Sequence, residues 1–208
     1  MVARDNRTTA EILAAARATL AVAELGLRDL RGTDPRRRKP GLYDVVVFGR
    51  ATTNVLQHLR SKESGFDAWY APYVAEMSAD PLLKYFYTLR SEILKDGPPA
   101  VAAGMHLHHF TFPQDLAALG PPPPNAKAFF IGDQNGGSGW EVALPDGTTE
   151  RYYVELPPGM VTTTMHLPGA PSLHLGNRVG GDDVVTLTAL YVAYLRKLLD
   201  AADSQFAS

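Results

Sequence analysis

Cysteine is absent from this chain of 208 residues. Without thiols the protein has no disulfide framework, no zinc site with thiolate ligands and no cysteine nucleophile. The sequence also lacks the run of about 18 apolar residues that a membrane-spanning helix would need, and it lacks the hydrophobic stretch of a signal peptide. We therefore expect a cytoplasmic protein with no membrane partner.

An excess of positive charge is missing as well, because 20 Lys and Arg residues stand against 22 Asp and Glu and the formal net charge is -2. Binding of nucleic acid or membrane over the whole surface normally requires a basic excess. Any such binding would have to use a local patch. Hydrophobic residues make up 45% of the chain and charged residues 20%, an ordinary composition that predicts one soluble domain over residues 1–208.

Long segments of the chain place apolar residues at the three- and four-residue spacing of a helix with one buried face. They cover residues 9–31, 42–62, 80–96 and 182–202. Thr8 and Glu11 have the spacing of a capping box, and Asp80 before Pro81 is a typical helix start. A shorter aromatic stripe between Phe66 and Met77 predicts about three further helical turns.

The segment from Gly32 to Pro40 contains four consecutive basic residues between two prolines. Proline and glycine interrupt regular structure, and a short run of like charges is usually solvated. We therefore predict an exposed linker between the first two long helices. Contact with phosphate or with an acidic partner is the alternative for this basic run.

Residues 100–180 have a different pattern, in which proline, glycine and alternating residues replace the helical period. Short strands are predicted at residues 101–112, 128–131, 139–144 and 150–156, with further strand character at 161–165 in an otherwise irregular stretch. Asp146 and Gly147 predict a tight hairpin turn. The predicted fold class is α+β, an antiparallel helical bundle (residues 9–97 and 182–202) with a β-rich insertion before the last helix.

Arg50, Asn54 and His58 follow one another at four-residue intervals in the second predicted helix. Residues at this spacing lie above one another on one side of a helix. The resulting polar stripe is either a functional site or a solvated face whose side chains hydrogen-bond to neighbouring helices.

The helix of Arg50, the segment FDAWY from Phe66 and the ending LRSEILKDG at residues 89–97 resemble bacterial proteins related to the HEPN helical-bundle superfamily. The resemblance covers residues 9–97 and the last helix. It implies a homodimer, a role in toxin–antitoxin or phage-defence systems, and an RNA or protein partner. It implies neither a metal nor another cofactor.

Many HEPN proteins are ribonucleases whose signature is an Arg, a polar residue and then a His four to six residues after the Arg. Here Arg90 and Ser91 begin the signature, but Lys95 stands where the His is expected. An unperturbed lysine has a pKa of about 10.4, which is too high for a proton acceptor near neutral pH. Lys95 is equally suited to stabilising the negative end of its helix dipole.

The resemblance and the polar stripe together give a set of candidate residues. The candidates for catalysis are Arg90, Lys95, Arg50 and His58, and the candidates for binding are Asn54 and Glu92. We expect a non-catalytic binding module for RNA, a partner protein or a small ligand. The alternative is a metal-independent ribonuclease that uses Arg90 with a nonstandard acid or base.

His106, His108 and His109 form a second cluster of candidate residues. On a strand His106 and His108 point to the same face, which is the spacing of some metal-binding strands. No Asp or Glu lies between Asp96 and Asp115 to complete a ligand set. A metal-dependent enzyme that uses His106 and His108 is therefore a further alternative to a packing or surface role.

Overall fold

A computed structural model describes residues 6–97, 101–157 and 159–207. The helices are α1 (Thr9–Arg31), α2 (Pro35–Leu56), α3 (Phe66–Ala79), α4 (Pro81–Asp96), α5 (Gln114–Ala118) and α6 (Val184–Phe206), and a 3-10 helix follows α2 at Gln57–Ser61. The strands are β1 (Ala102–Leu107), β2 (Ala126–Ile131), β3 (Ser138–Ala143), β4 (Thr149–Val154), β5 (Val161–His166), β6 (Leu173–His174) and β7 (Asn177–Arg178). Helices at the start, antiparallel strands in the middle and a closing helix confirm the predicted α+β class.

Helices α1 and α2 form a tight antiparallel pair that meets through two glycines. A Cβ atom on Gly26 would stand 2.4 Å from the carbonyl oxygen of Gly41, and one on Gly41 would stand 2.6 Å from that of Gly26. Both distances are shorter than van der Waals contact, so only glycine allows the two backbones to approach this closely. The predicted capping box at the start of α1 is present, with Thr8 and Glu11 each bonding the other's backbone N–H.

The prediction of a linker from Gly32 to Pro40 is wrong, because α2 begins at Pro35 and includes the basic run. The Asp34 side chain accepts a hydrogen bond from the Arg36 N–H at 3.0 Å, and Pro35 occupies the first helical position, where no N–H is needed. The helix continues through Pro40, where Gly41 packs on α1. The cap and this contact together outweigh the interrupting effect of the prolines.

Helix α6 runs antiparallel to α1 and closes the bundle. Arg17 pairs with Asp200 at 2.7 Å and with Asp203, while Glu24 farther along α1 accepts from Arg196 at 2.6 Å, so the residue order is opposite on the two helices. The buried side chains of both helices belong to one hydrophobic core with those of α2, α3 and α4. Among the described residues, no helix has the combination of length and apolar character that would let it cross a bilayer.

Helices α2 and α4 meet along a hydrophobic seam in this core. Phe86 and Leu89 of α4 are buried, and Phe48, Val55 and Ile93 are partly buried against the same cluster. Residues 42–61 are helical throughout, although Val45, Val46 and Val47 favour a strand by intrinsic propensity. The burial pattern therefore outweighs local preference in this helix.

The insertion consists of small antiparallel sheets. Strands β2, β3 and β4 form a meander, β1 pairs with β5, and β6 pairs with β7. The predicted turn at Asp146 and Gly147 joins β3 to β4, with Gly147 at a φ of 86°. The first predicted strand is shorter than expected, since β1 ends at Leu107 and the short helix α5 follows, and the stretch predicted as irregular contains the β6–β7 hairpin.

A buried carboxylate ties this insertion to the helices. The Asp80 side chain, which caps α4 through the Leu83 N–H at 2.8 Å, also accepts from the Leu175 N–H at 2.6 Å and lies 3.1 Å from His174 Nδ1. Burial alone would raise the pKa of Asp80, but these hydrogen bonds lower it below its ordinary value. The start of α4 and the β6–β7 hairpin are therefore held by one side chain.

Candidate ligand-binding site

A cavity of about 580 Å³ opens between α2, the 3-10 helix, α3, α4 and α6. We call it the helical cavity. Its volume lies within the range of about 300–1,000 Å³ that is typical of small-molecule sites. Three cationic side chains line it, Arg50, Arg60 and Lys84, and no carboxylate among the described residues does so.

Arg50 is the central cation of the cavity. Its Nη1 donates to Thr53 Oγ1 at 2.5 Å, and its guanidinium lies over the ring of Tyr87, 5.2 Å from the ring centroid. Among the described residues it has no carboxylate partner, and a guanidinium carries five N–H groups. Most of its donors are therefore left for solvent or a ligand.

The other two cations stand at the exposed edge of the cavity. Arg60, on the 3-10 helix, donates to Asp67 at 2.6 Å, so its charge is already paired. Lys84 is exposed on α4. Arg50 is half-buried and Arg60 and Lys84 are exposed, so Arg50 is the cation with the least access to water.

Tyr70 contributes a polar atom at the buried side of the cavity. The residue is only 3% exposed, and its hydroxyl makes no hydrogen bond of normal geometry within the described part of the chain. Burial raises the pKa of Tyr70, while the charges of Arg50 and Arg60 and the nearby Gln57 side chain oppose that rise. Burial of a hydroxyl without a hydrogen-bond partner costs free energy, so an acceptor that bonds to this group would be stabilising.

The rest of the lining is largely apolar. Val74 and Met77 of α3, Leu83 of α4, and Tyr191 and Leu195 of α6 face the same space. Tyr191 is fixed by stacking on Phe86, with ring centroids 4.5 Å apart at an angle of 11°. The cavity therefore combines an apolar body with a donor-rich end formed by Arg50 and Tyr70.

This combination of groups is suited to binding rather than to proton transfer. The lining side chains within the described residues include neither a carboxylate nor an imidazole, which are the usual general bases. Burial raises the pKa of Tyr191, and that of Tyr70 is raised as well, so both hydroxyls stay protonated near neutral pH. The cavity can donate hydrogen bonds and offer positive charge to a ligand.

The predicted polar stripe is only partly brought into this site. Arg50 lines the cavity, whereas Asn54 and His58 are exposed and do not. The α-helix changes to a 3-10 helix at Gln57, and Thr53, Gln57 and Arg60 take the positions beside Arg50 instead. Spacings of three and seven residues from Arg50 could have indicated Thr53 and Gln57 in the sequence.

The candidates on α4 lie outside the helical cavity. Arg90 is half-buried, its Nε has no hydrogen-bond partner among the described residues, and it forms no ion pair with Glu92 or another described carboxylate. Glu92 and Lys95 are exposed. The structure does not bring Arg90 and Lys95 into one cavity with Arg50.

The histidine cluster lies at the end of β1. The rings of His106 and His108 are 4.7 Å apart, and His108 Nε2 lies 2.8 Å from Thr162 Oγ1. His109 is exposed. In the part of the chain that the structure describes, no group of three or more His, Asp or Glu side chains is placed to hold a metal ion.

Asp133 organises the glycine-rich turn between β2 and β3. Its side chain accepts from the N–H groups of Asn135 and Gly137 at 2.8 and 3.0 Å, from the Tyr153 hydroxyl at 2.6 Å and from Arg151 at 2.8 Å. Burial would raise the pKa of Asp133, but these bonds lower it below its ordinary value. The turn is thus stabilised from within, as expected of a hairpin loop.

The basic run at the start of α2 lies beside this turn. Arg36 and Arg37 pair with Asp34 and Asp29 at 3.1 and 2.9 Å. Arg38 lines a smaller cavity of about 200 Å³ together with Gly136 and Ser138, and burial lowers its pKa. Nearby carboxylates therefore pair with Arg36 and Arg37, and the third arginine packs toward the insertion.

The HEPN resemblance rests on sequence segments of α2, α3 and α4, and the arrangement of Arg90 and Lys95 neither requires nor excludes it. Ser91 Oγ donates to the Tyr87 carbonyl oxygen at 3.2 Å, a local bond within α4.

Comparisons with protein-family models, curated proteins and solved structures find no match to this chain.

Proposed function

We propose that this chain is a non-catalytic binding module whose helical cavity holds a small molecule with a negatively charged group. The observation that carries the proposal is Arg50, a half-buried guanidinium without a described carboxylate partner, in a cavity that no described carboxylate lines. A charge that is partly removed from water is stabilised by an opposite charge. A bound anion would supply that charge.

A small molecule suits this cavity better than a nucleic acid or a protein surface. Five helical elements surround it, and Tyr70 and Tyr191 at its inner side are almost fully buried. Sites of this concave and largely apolar kind are typical of small ligands. RNA or a partner protein, the other ligands that the HEPN resemblance implies, would have to use a different surface.

The wider context implied by the resemblance stays a prediction. We expect a HEPN-like homodimer with a role in toxin–antitoxin or defence systems and a cytoplasmic location. In such a system a binding module would respond to a small anion or carry it. The ribonuclease alternative depends on Arg90, which does not line the helical cavity.

The test measures the thermal midpoint of unfolding in the presence of a panel of small carboxylates and phosphates and their neutral analogues. A ligand that binds the folded state raises the midpoint. We expect some anions to raise it for the wild type and for Arg196→Gln, which alters an exposed ion pair with Glu24 on the α1–α6 surface. The same anions should have little effect on Arg50→Gln.

Two results would overturn the proposal. One is a panel in which no anion raises the midpoint of the wild type. The other is an equal response of the wild type, Arg50→Gln and Arg196→Gln, which would place the bound anion elsewhere. Arg50→Lys tests charge separately from geometry, because it keeps the positive charge and loses the planar guanidinium.

A further inference from the structure

We infer that the ligand of the helical cavity is an apolar monocarboxylate, whose carboxylate lies between Arg50 and the Tyr70 hydroxyl and whose hydrocarbon body lies against α3, α4 and α6. This inference rests on the function proposed above. It adds the number of charges, the geometry of the charged group and the direction in which the ligand lies.

The number of charges follows from the cations. Arg60 is paired with Asp67, and Lys84 is exposed, so Arg50 is the one cation of the lining that is both half-buried and without a described carboxylate partner. One guanidinium compensates one negative charge. A phosphate monoester carries a charge between about -1.5 and -2 at neutral pH, and burying the uncompensated part would cost free energy.

The geometry of the donors favours a carboxylate. The planar guanidinium of Arg50 presents parallel N–H groups that match the two oxygens of a carboxylate. The Tyr70 hydroxyl is buried and protonated, and among the described residues it has no hydrogen-bond partner of normal geometry, so it can donate to one of those oxygens. Arg50 and Tyr70 both line the helical cavity, so the guanidinium and the phenol face the same space.

The direction of the ligand follows from the remaining walls. Beyond the donors, Val74, Met77, Leu83 and Leu195 offer hydrocarbon and thioether surface, and Ser78 is an uncharged polar residue among them. Transfer of apolar area from water to this surface is favourable, at roughly 25 cal/mol per Å². Met77 has a flexible side chain that adapts to ligands of different shape. The body of the ligand is therefore aliphatic or aromatic and carries no further charge.

The experiment measures binding by titration calorimetry with a series of straight-chain carboxylates from hexanoate to dodecanoate and with aryl-alkanoates such as 4-phenylbutyrate. Each carboxylate is matched with its primary amide and with the alkyl phosphate of the same chain. We expect the carboxylates to bind, with affinity rising with chain length until the cavity is filled. The affinity of the matched amides should be lower by a factor of about ten or more, because a hydrogen bond to a charged group is lost.

Tyr70→Phe separates a ligand contact from a structural role. It removes only a hydroxyl that has no described partner, so the thermal midpoint without ligand should be unchanged or higher. Carboxylate affinity should fall by about three- to tenfold, the effect of one lost hydrogen bond. An unchanged affinity in Tyr70→Phe would overturn the proposed position of the carboxylate.

The outcomes distinguish this inference from the proposed function. Phosphates that bind more tightly than the matched carboxylates, with binding lost in Arg50→Gln, would overturn the monocarboxylate and leave an anion-binding cavity. Amides that bind as well as carboxylates would also overturn it. No binding of any probe, or binding unaffected by Arg50→Gln and Arg50→Lys, would overturn the proposed function as well.

Discussion

Gly49 of α2 lies directly against the ring of Tyr191 of α6, so that a Cβ atom at position 49 would stand 2.5 Å from Tyr191 Cε1. This ring forms part of the helical cavity and stacks on Phe86 of α4. The absence of a side chain at position 49 thus lets one aromatic ring connect three helices. It also fixes the inner wall of the cavity.

Gly49→Val should destabilise the protein, because the new side chain overlaps a buried ring that is stacked on Phe86. Overpacking of a core typically costs about 1–3 kcal/mol, and the small gain in helix propensity offsets only part of this cost. We expect the free energy of unfolding, measured by chemical denaturation, to fall by about 2 kcal/mol. Gly180→Ala is the control, since a Cβ there meets nothing within 4 Å. A Gly49→Val variant as stable as the control would contradict the contact.

Leu89→Ala tests the seam between α2 and α4. Leu89 is 4% exposed, and a large-to-small change at a buried site costs about 2–5 kcal/mol. Leu94→Ala on the same helix is a matched control, because Leu94 is 55% exposed and its loss should change stability by less than about 0.5 kcal/mol. The two variants are compared by their denaturation midpoints. Equal midpoints would show that Leu89 is not part of the core.

The pH dependence of stability should carry a contribution from Asp80. Its pKa is lower in the folded protein than in the unfolded chain, so the unfolded chain binds more protons at acid pH. The stabilisation is therefore fully present above the unfolded pKa of about 3.9 and is lost as the pH falls through the lower folded pKa. We expect Asp80→Asn to be less stable at neutral pH and to lose less stability on acidification. Parallel pH profiles for the two proteins would exclude this contribution.

The purified protein should not cleave RNA at an enzymatic rate. Lys95 stands in the position of the histidine, and an ammonium group has no lone pair with which to act as a general base. The assay follows RNA cleavage by the wild type, Arg90→Ala and Lys95→His without metal. Cleavage by the wild type that disappears in Arg90→Ala would instead establish the ribonuclease. Activity gained only in Lys95→His would identify a degenerate site.

Local signals were sufficient to predict most helix ends. Asp80, Pro81 and Gly97 determine the ends of α4 through interactions within a few residues, and the predicted and observed bounds agree to within one residue. The start of α2 was not predicted, because its proline-rich sequence favours a loop. The contact of Gly41 with Gly26 helps to stabilise that start. This contact depends on the packing of two helices, so it leaves no periodic pattern in the sequence.

The candidate site was predicted only at Arg50. Helical spacing explains why Thr53 and Gln57 lie beside Arg50 once the cavity is known. The same kind of spacing also predicts Asn54 at a four-residue interval, and Asn54 is exposed. Tyr70 and Tyr191 come from other helices, and their aromatic periodicity predicts core positions. A buried hydroxyl without a partner is a property of the packed structure, so sequence alone gave no signal for it.

The antiparallel pairing of α1 with α6 has a consequence for synthesis on the ribosome. Arg17 can pair with Asp200, and Glu24 with Arg196, only after the whole insertion has been translated. Until then the face of α1 that α6 covers has no permanent neighbour. Incomplete chains of this kind expose apolar surface and tend to aggregate or recruit chaperones. The nascent protein should therefore need protection during translation for longer than a bundle whose helices follow one another directly.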